Sequence, residues 1–162
     1  MNLQTINEIA SELFLALNQQ ETIQPLTERF PDIDINDAYQ ISKKFLALRE
    51  SKGEKIVGKK IGVTSKVVQE MLGVNQPDFG FLTNTMQVKN KSNFLINNSL
   101  IQPRAEAEIA FILKEDLYGP GVTQADVIAA TDKICPCFEI VDSRIDQWKI
   151  KIQDTVADNA SC

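Results

Sequence analysis

Glutamates in strand-like segments are the residues whose type and spacing point most directly to chemistry. Glu106 and Glu108 lie in the segment 104–114, which alternates between two sets of side chains. Alternate residues of a strand share a face, so both carboxylates are predicted to project from one side, about 6.6 Å apart. Glu139 lies in a second short segment, 137–142, which is otherwise largely apolar. Three carboxylates suit Mg²⁺ or Mn²⁺, and such a cation would relieve their mutual repulsion. The alternative is a solvated strand face on which the glutamates pair with lysines.

A lysine between two glycines is the second candidate. In the segment GKKIGVTS at 58–65, alternation places Gly58, Lys60 and Gly62 on one face, which leaves space for a ligand beside the Lys60 ammonium. A lysine with reduced solvation can act as an acid, a base or an anion clamp. The alternative is an exposed strand with glycines at bulges. Lys59 fits the opposite face only with a local bulge. That opposite, packed face is expected to hold Val57, Ile61 and Val63.

Asp78 and the cysteines each allow two interpretations. Asp78, in the loop QPDFG at 76–80, is either a catalytic carboxylate or a turn former. Cys135 and Cys137 flank a proline, but the sequence has no histidine and no second cysteine pair to complete a metal motif. They are therefore interpreted as buried small hydrophobic residues. The absence of histidine also excludes Ser-His and Cys-His nucleophiles.

The elements that must position these residues begin with an N-terminal helical region, predicted over residues 1–54. Apolar residues recur there at helical spacing in two stretches. The first helix is expected to start at a capping box of Thr5 and Glu8, and the second to start near Asn36 and stop at Gly53. The two apolar stripes are Ile6, Ile9, Ala10, Leu13, Ala16 and Leu17, and Ala38, Ile41, Phe45 and Leu48.

A β-rich, metal-binding catalytic region is predicted over residues 55–162. Its expected elements are a strand at 55–64, a short helix at 65–72, strands from Phe81 onward and a helix at 123–133. Thr123 and Asp126 form the capping box of that last helix. The fold class is therefore α+β, with an N-terminal helical cap in front of a β-rich region.

Composition narrows the function classes. The 162 residues are 43% hydrophobic and 24% charged, which is typical of a soluble globular domain. A net charge of -5 disfavours nucleic acid as a partner. No apolar run approaches the ~20 residues of a membrane-spanning helix. Three cysteines, an odd number, and the lack of a cationic, apolar leader indicate a reducing cytoplasm rather than secretion.

Five motifs together carry a family resemblance over essentially the whole chain. They are GKKIGVTS at 58–65, QPDFGFLT at 76–83, QPRAEAEIAF at 102–111, PCFEIVDSRI at 136–145 and DTVADNASC at 154–162. In this order they resemble the 2-hydroxypenta-2,4-dienoate (2-oxopent-4-enoate) hydratases of the fumarylacetoacetate hydrolase-like superfamily. Those hydro-lyases act in meta-cleavage catabolism of phenols and related aromatic compounds. The resemblance implies part of a mixed β-sheet roll behind the helical cap.

The same resemblance assigns roles to individual residues. It implies that Glu106, Glu108 and Glu139 bind Mg²⁺ or Mn²⁺, that Lys60 is the active-site lysine, that Asp78 is the loop aspartate and that Ser161 lies near the substrate. The implied reaction adds water to 2-hydroxypenta-2,4-dienoate to give 4-hydroxy-2-oxopentanoate. Lys60 and Asp78 are the candidates for its proton transfers.

Two alternatives accompany this assignment. The sister 4-oxalocrotonate decarboxylases tend to read GLK where this chain has GKK at 58–60, and HPK where it has QPR at 102–104; this sequence takes the hydratase form at both. The other alternative is a non-catalytic partner subunit. The resemblance further implies a small-molecule substrate, a homo-oligomer and association with the decarboxylase or aldolase of the pathway.

The resemblance also predicts that the chain is truncated. Family members continue well beyond the position matching Cys162, through strands that complete the fold. Without them, open sheet edges and uncovered apolar faces are expected. The resemblance therefore implies the family, but not that these 162 residues are active alone.

Overall fold

Two compact units make up the computed structural model, which describes residues 1–96 and 99–162. One unit comprises Met1–Pro103 with Asp142–Cys162, and the other comprises Arg104–Val141. Helices precede and follow two antiparallel strand pairs, which confirms the α+β class. The elements are α1 (Leu3–Gln19), α2 (Leu26–Arg29), α3 (Ile35–Ser51), β1 (Ile56–Gly62), α4 (Lys66–Leu72), β2 (Asp78–Thr83), β3 (Arg104–Leu113), α5 (Gln124–Ala130), β4 (Thr131–Val141), a short 3₁₀ turn (Asp146–Trp148) and α6 (Ile152–Ala157).

The predicted regions and these units divide the chain differently. The first unit contains all of the predicted helical region 1–54 together with parts of the predicted catalytic region 55–162. The division into those two regions stays a prediction. Within the residues described, no helix is both long enough and apolar enough to cross a bilayer.

Helix caps account for where the helices begin. The side chain of Asn2 accepts a hydrogen bond of 2.9 Å from the backbone N–H of Thr5, so α1 starts earlier than the predicted Thr5 box. Helix α3 begins after a capping box of Asp34 and Asp37, rather than near Asn36. Both corrections arise because a polar residue just upstream reaches the third backbone N–H of the helix. The box that caps α5 lies where it was predicted.

The apolar core of the first unit lies among α1, α3 and α6. The predicted stripes are confirmed, with Leu17 and Leu48 half-buried at their margins and the other residues of both stripes buried. Helix α6 was not predicted, because its six residues are too few to show a helical period. Each fully buried aliphatic side chain contributes about 1.5–3 kcal/mol. The buried cluster is Ile6, Ile9, Ala10, Leu13, Leu26, Ile33, Ala38, Ile41, Phe45, Ile145, Val156 and Ala157.

A polar network joins the end of α3 to the end of β2. The Arg49 guanidinium pairs with the Glu54 carboxylate at 2.9 Å, and Glu54 also accepts hydrogen bonds from the hydroxyls of Thr83 and Thr85. Burial alone raises the pKa of Glu54, but these hydrogen bonds outweigh it and hold the pKa below its usual value. Strands β1 and β2 form an antiparallel hairpin whose connection contains α4. The network therefore fixes one end of this β1–β2 hairpin to the helical core.

Arg144 is a buried cation at the other side of that core. It is 1% exposed, and its guanidinium lies 5.7 Å from the centre of the Phe45 ring. It donates to the carbonyl oxygens of Asp142 at 2.6 Å, Asp158 at 2.7 Å and Cys162 at 3.0 Å. Its Nε donates to the Asp158 carboxylate at 2.5 Å. One side chain therefore ties Asp142 to the residues that follow α6.

We predict that Arg144→Met destabilises the protein by about 3–5 kcal/mol, because it leaves the Asp158 carboxylate buried and unpaired. Urea unfolding followed by circular dichroism measures the change. The matched control is Arg29→Met, which removes a partly exposed pair with Glu12 and should cost no more than about 1 kcal/mol. Equal losses in the two variants would contradict the role given to Arg144.

Candidate functional site

The β1–β2 hairpin brings Lys60 and Asp78 onto one face. Lys60 pairs with Gly80, and Gly62 pairs with Asp78. Paired residues of antiparallel strands point to the same side, so these four positions share a face. The predicted alternation is confirmed, since Gly58, Lys60 and Gly62 are half-buried and the other residues of β1 are exposed.

The opposite face of β1 was predicted to be packed, and that prediction is wrong. Val57 is 58% exposed and Ile61 is 62% exposed. Val63 is half-buried and lies beyond the strand, with a φ of 55°. The glycine-bearing face packs instead, because β2 side chains fill the space that the glycines leave, Leu82 at Gly58 and Asp78 at Gly62. The register shift between Ile56 and Gly58 comes before Lys59, which stays on the same face as Ile61; Lys59 needs no bulge because that face is exposed.

Asp78 fills the space left by a glycine. A Cβ built on Gly62 would lie 2.3 Å from Asp78 Oδ1, so the carboxylate sits where a side chain would otherwise be. Asp78 is 3% exposed and is the first residue of β2, so it is not a turn former. The space predicted for a ligand beside Lys60 is therefore occupied, at Gly62, by this carboxylate. The catalytic role of Asp78 stays a prediction.

A left-handed turn, defined here as residues 159–161, lies against the same hairpin. Asn159, Ala160 and Ser161 have φ values of 56°, 57° and 57°. Each such residue costs on the order of 1 kcal/mol or more, so the surrounding contacts must stabilise the turn. Lys60 Nζ donates to the carbonyl oxygen of Ala160 at 2.9 Å. The turn thus gives the lysine a fixed acceptor.

Ser161 belongs to this left-handed turn. It is 4% exposed, and its hydroxyl has no hydrogen-bond partner among the described residues. Its carbonyl oxygen accepts a hydrogen bond of 2.9 Å from the backbone N–H of Asp142. A buried hydroxyl without a partner is uncommon in proteins, so this one calls for an explanation. The first unit therefore contains Lys60, Asp78 and Ser161, whose functional roles stay predictions.

Sequence reasoning missed Tyr39 of α3, which stacks on Phe79 with ring centres 4.7 Å apart. Burial raises the pKa of the Tyr39 hydroxyl, and the charge of Asp78 raises it further. Tyr39 and Phe79 both lie outside the periodic apolar pattern of their segments, so their contact is apparent only in the folded structure. The one available signal was an aromatic residue beside the α3 stripe.

The three predicted metal carboxylates converge in the second unit. Glu106 pairs directly with Glu139 across β3 and β4, and Glu108 is two residues along the same face. One carboxylate oxygen from each of the three residues lies within 4.8 Å of the others. Glu106 and Glu108 are exposed and Glu139 is half-buried. Three hard oxygen donors in this arrangement fit a divalent cation.

The cysteines do not behave as predicted. Cys137 is exposed and Cys135 is half-buried, so the buried-hydrophobe interpretation is wrong. The reason is register, since Cys137 pairs with Glu108 and shares the open acidic face. Loss of solvation raises the pKa of the Cys137 thiol, and the charges around it, including Glu108 and Glu139, raise it further. The opposite face of the pair is apolar and also open, with Phe138 80% exposed.

Comparison with known proteins gives two hydratases as relatives. The chain is 63% identical over 157 residues to a 2-hydroxypent-2,4-dienoate hydratase of Pseudomonas putida, which covers 97% of this chain and 71% of that protein. It is 59% identical over 160 residues to a 2-hydroxyhexa-2,4-dienoate hydratase of Comamonas testosteroni. That match covers 98% of this chain and 61% of the hydratase. No family model matches the chain.

A solved structure supports the same fold. The 4-oxalocrotonate decarboxylase from Pseudomonas putida G7, complexed with magnesium and adipate, superposes with a TM-score of 0.93 at 35% identity. The match covers 99% of this chain and 61% of that one. The same decarboxylase complexed with calcium and acetate gives a TM-score of 0.91.

These similarities confirm the predicted fold class and the fumarylacetoacetate hydrolase-like architecture. More narrowly, the chain belongs to the family of 2-hydroxypent-2,4-dienoate (2-keto-4-pentenoate) hydratases. It spans 71% of the length of the first relative and 61% of the second. The identities of 63% and 59% with hydratases, against 35% with the decarboxylase, place the chain in the hydratase family rather than with the decarboxylases.

We predict that Gly62→Ala costs about 1–3 kcal/mol, because the new methyl group overlaps the Asp78 carboxylate. Urea unfolding measures the loss. Gly58→Ala is the matched control on the same face of β1, since its Cβ would meet the Leu82 side chain at an ordinary 3.7 Å. Similar stabilities for the two variants would show that Asp78 does not need the space over Gly62.

Proposed function

We propose that this chain belongs to an enzyme that adds water to 2-hydroxypenta-2,4-dienoate and forms 4-hydroxy-2-oxopentanoate in meta-cleavage catabolism of aromatic compounds. The observation that carries the proposal is the shared face of Lys60 and Asp78 beside the left-handed turn, in a chain that belongs to a hydratase family. An ammonium and a buried carboxylate on one face are the groups that proton transfer to and from a small acid requires.

The reaction moves protons twice. The 2-hydroxyl proton is lost as a proton is added to the terminal carbon, which gives an unsaturated 2-oxo acid; water then adds, with its hydroxyl on C4 and its proton on C3. Lys60 is proposed to donate, because its ammonium is held at a fixed carbonyl acceptor. Asp78 is proposed to accept, because its carboxylate is buried on the same face. Ser161 is proposed to contact the substrate through its hydroxyl.

Glu106, Glu108 and Glu139 are proposed to hold Mg²⁺ or Mn²⁺. The support is the convergence of their carboxylates and the hard-donor chemistry that these cations prefer. A related decarboxylase has been solved with magnesium and with calcium, which supports a divalent cation in this fold. When bound, the cation supplies Lewis-acid polarisation of a substrate oxygen.

The remaining proposals concern assembly and location. We propose a homo-oligomer that associates with the decarboxylase or aldolase of the same pathway, with the hydratase family as the support. A cytoplasmic location is proposed because the exposed thiol of Cys137 suits a reducing compartment. The decarboxylase activity remains the second candidate, supported by the TM-score of 0.93. A non-catalytic partner subunit is the third.

Metal binding is tested by calorimetric titration of Mg²⁺ or Mn²⁺. We predict that Glu108→Gln weakens metal binding at least ~10-fold, because it removes one of three charged ligands. Loss of a residue that merely hydrogen-bonds to a metal ligand already lowers metal affinity by about that factor. Glu115→Gln, an exposed glutamate of the same unit, is the control and should bind as wild type does. Equal affinity in wild type and Glu108→Gln would remove the three-carboxylate site.

Turnover is tested by following the loss of dienoate absorbance. We predict that Lys60→Ala lowers kcat by about 10²–10⁴-fold, the range for loss of a general acid, and leaves metal affinity unchanged. Lys59→Ala is the matched control, because Lys59 lies on the exposed face of the same strand. A larger effect at Lys59 would overturn the assignment of Lys60.

The assay uses the 162-residue chain and the same chain extended with the C-terminal part of a relative, because the relatives are longer. CO₂ release from 2-oxo-3-hexenedioate is measured in parallel. Hydration of the dienoate supports the proposed function. CO₂ release without hydration would favour the decarboxylase, and inactivity of the extended chain would favour a non-catalytic subunit.

A further inference from the structure

Asn159 joins the left-handed turn to strand β2. Its Oδ1 accepts from the backbone N–H of Phe81 at 2.8 Å, and its Nδ2 donates to the carbonyl oxygen of Phe81 at 2.9 Å. Nδ2 also donates to the carbonyl oxygen of Cys162 at 3.2 Å. Asn159 is 2% exposed. The amide thus exchanges with Phe81 the pair of hydrogen bonds that a neighbouring strand would supply.

The contact lies one residue from the partner of Lys60. Gly80, which pairs with Lys60, precedes Phe81 in β2. A Cβ built on Gly80 would lie 2.3 Å from the carbonyl oxygen of Asn159, so the backbone of the turn touches the strand there. The next residue of the turn, Ala160, provides the carbonyl oxygen that accepts from Lys60 Nζ at 2.9 Å. Adjacent residues of the turn therefore make the two contacts: Asn159 binds β2, and Ala160 accepts the hydrogen bond from the Lys60 ammonium.

We propose that Asn159 is a positioning residue that holds the left-handed turn on β2 and thereby fixes the Lys60 ammonium and the Ser161 hydroxyl. Its catalytic consequence rests on the proposed function, whereas its effect on Lys60 does not. Asparagine suits the position because its short amide reaches the strand and because it tolerates positive φ better than most residues. No other group in the turn makes both hydrogen bonds to Phe81.

The test is competitive acetylation of amines with acetic anhydride in the folded chain, with modified peptides quantified by mass spectrometry. The readout is the labelling of Lys60 relative to Lys59, which lies on the exposed face of the same strand and serves as an internal reference. Asn159→Gly removes the amide while glycine still accepts the positive φ. We expect the Lys60 to Lys59 ratio to rise severalfold, because the ammonium loses its fixed acceptor.

The matched control is Asn84→Gly. The Asn84 side chain also accepts from a backbone N–H, that of Lys55 at 2.7 Å, but just outside the strand pair, where Lys55 precedes β1 and Asn84 follows β2. It should leave the labelling ratio at the wild-type value. Asn159→Asp, which keeps the acceptor for Phe81 and loses the donor, provides a second variant if Asn159→Gly does not fold. A wild-type ratio in a folded Asn159 variant would overturn the proposal.

Kinetics test the catalytic consequence separately. In a chain that hydrates the dienoate, Asn159→Gly should lower kcat on the order of 10–100-fold with little change in KM, since small displacements of a reacting group have effects of that size. Asn84→Gly should not. An unchanged kcat beside a raised labelling ratio would overturn the catalytic role. Absence of dienoate turnover in wild type would count against the proposed function and would leave the labelling result intact.

Discussion

The ion pair of Arg144 and Asp158 is the constraint on which the first unit depends. Both side chains are almost fully buried, with 2% and 0% of their surface exposed. Burial raises the pKa of Asp158, and the guanidinium opposes that shift. Removing either partner would leave an uncompensated buried charge, which greatly lowers the free energy of unfolding. The two side chains therefore have to stay paired in the folded protein. Arg144 also donates to the carbonyl oxygens of Asp142, Asp158 and Cys162. Because Asp158 and Cys162 flank the left-handed turn, the guanidinium holds both ends of that turn in place.

Two glycines of the β1–β2 hairpin, Gly62 and Gly80, allow other groups to pack closely on the face that carries Lys60. The missing side chain of Gly62 is replaced by the Asp78 carboxylate, and that of Gly80 by the carbonyl oxygen of Asn159. Lys60 is paired with Gly80 and is two residues from Gly62, so both of these groups approach the face of the strand pair that carries it. Gly58 and Gly62 were interpreted as room for a ligand beside Lys60, whereas the Leu82 side chain lies at Gly58 and the Asp78 carboxylate fills the space at Gly62.

Residues with a regular period were predictable from the sequence. The apolar stripes of α1 and α3 and the shared face of Glu106 and Glu108 follow from spacing alone. Glu139 was offered as a third carboxylate because it interrupts an otherwise largely apolar strand segment. Its pairing with Glu106 depends on strand register, which no local pattern reports. The left-handed turn was missed for a related reason, since consecutive positive φ values in residues other than glycine have no periodic signature and persist only through long-range contacts.

Several of these features work against stability, and they coincide with the candidate site residues. Glu106 and Glu139 are like charges directly opposite one another, an arrangement that destabilises an antiparallel pair. Ser161 keeps a buried hydroxyl without a partner among the residues described, inside a turn of strained backbone. Local choices that oppose folding are expected where function requires them. A sequence selected for stability alone would place a lysine or threonine opposite Glu106, and a glycine in the turn; that this chain does neither is the physical argument for treating both places as functional.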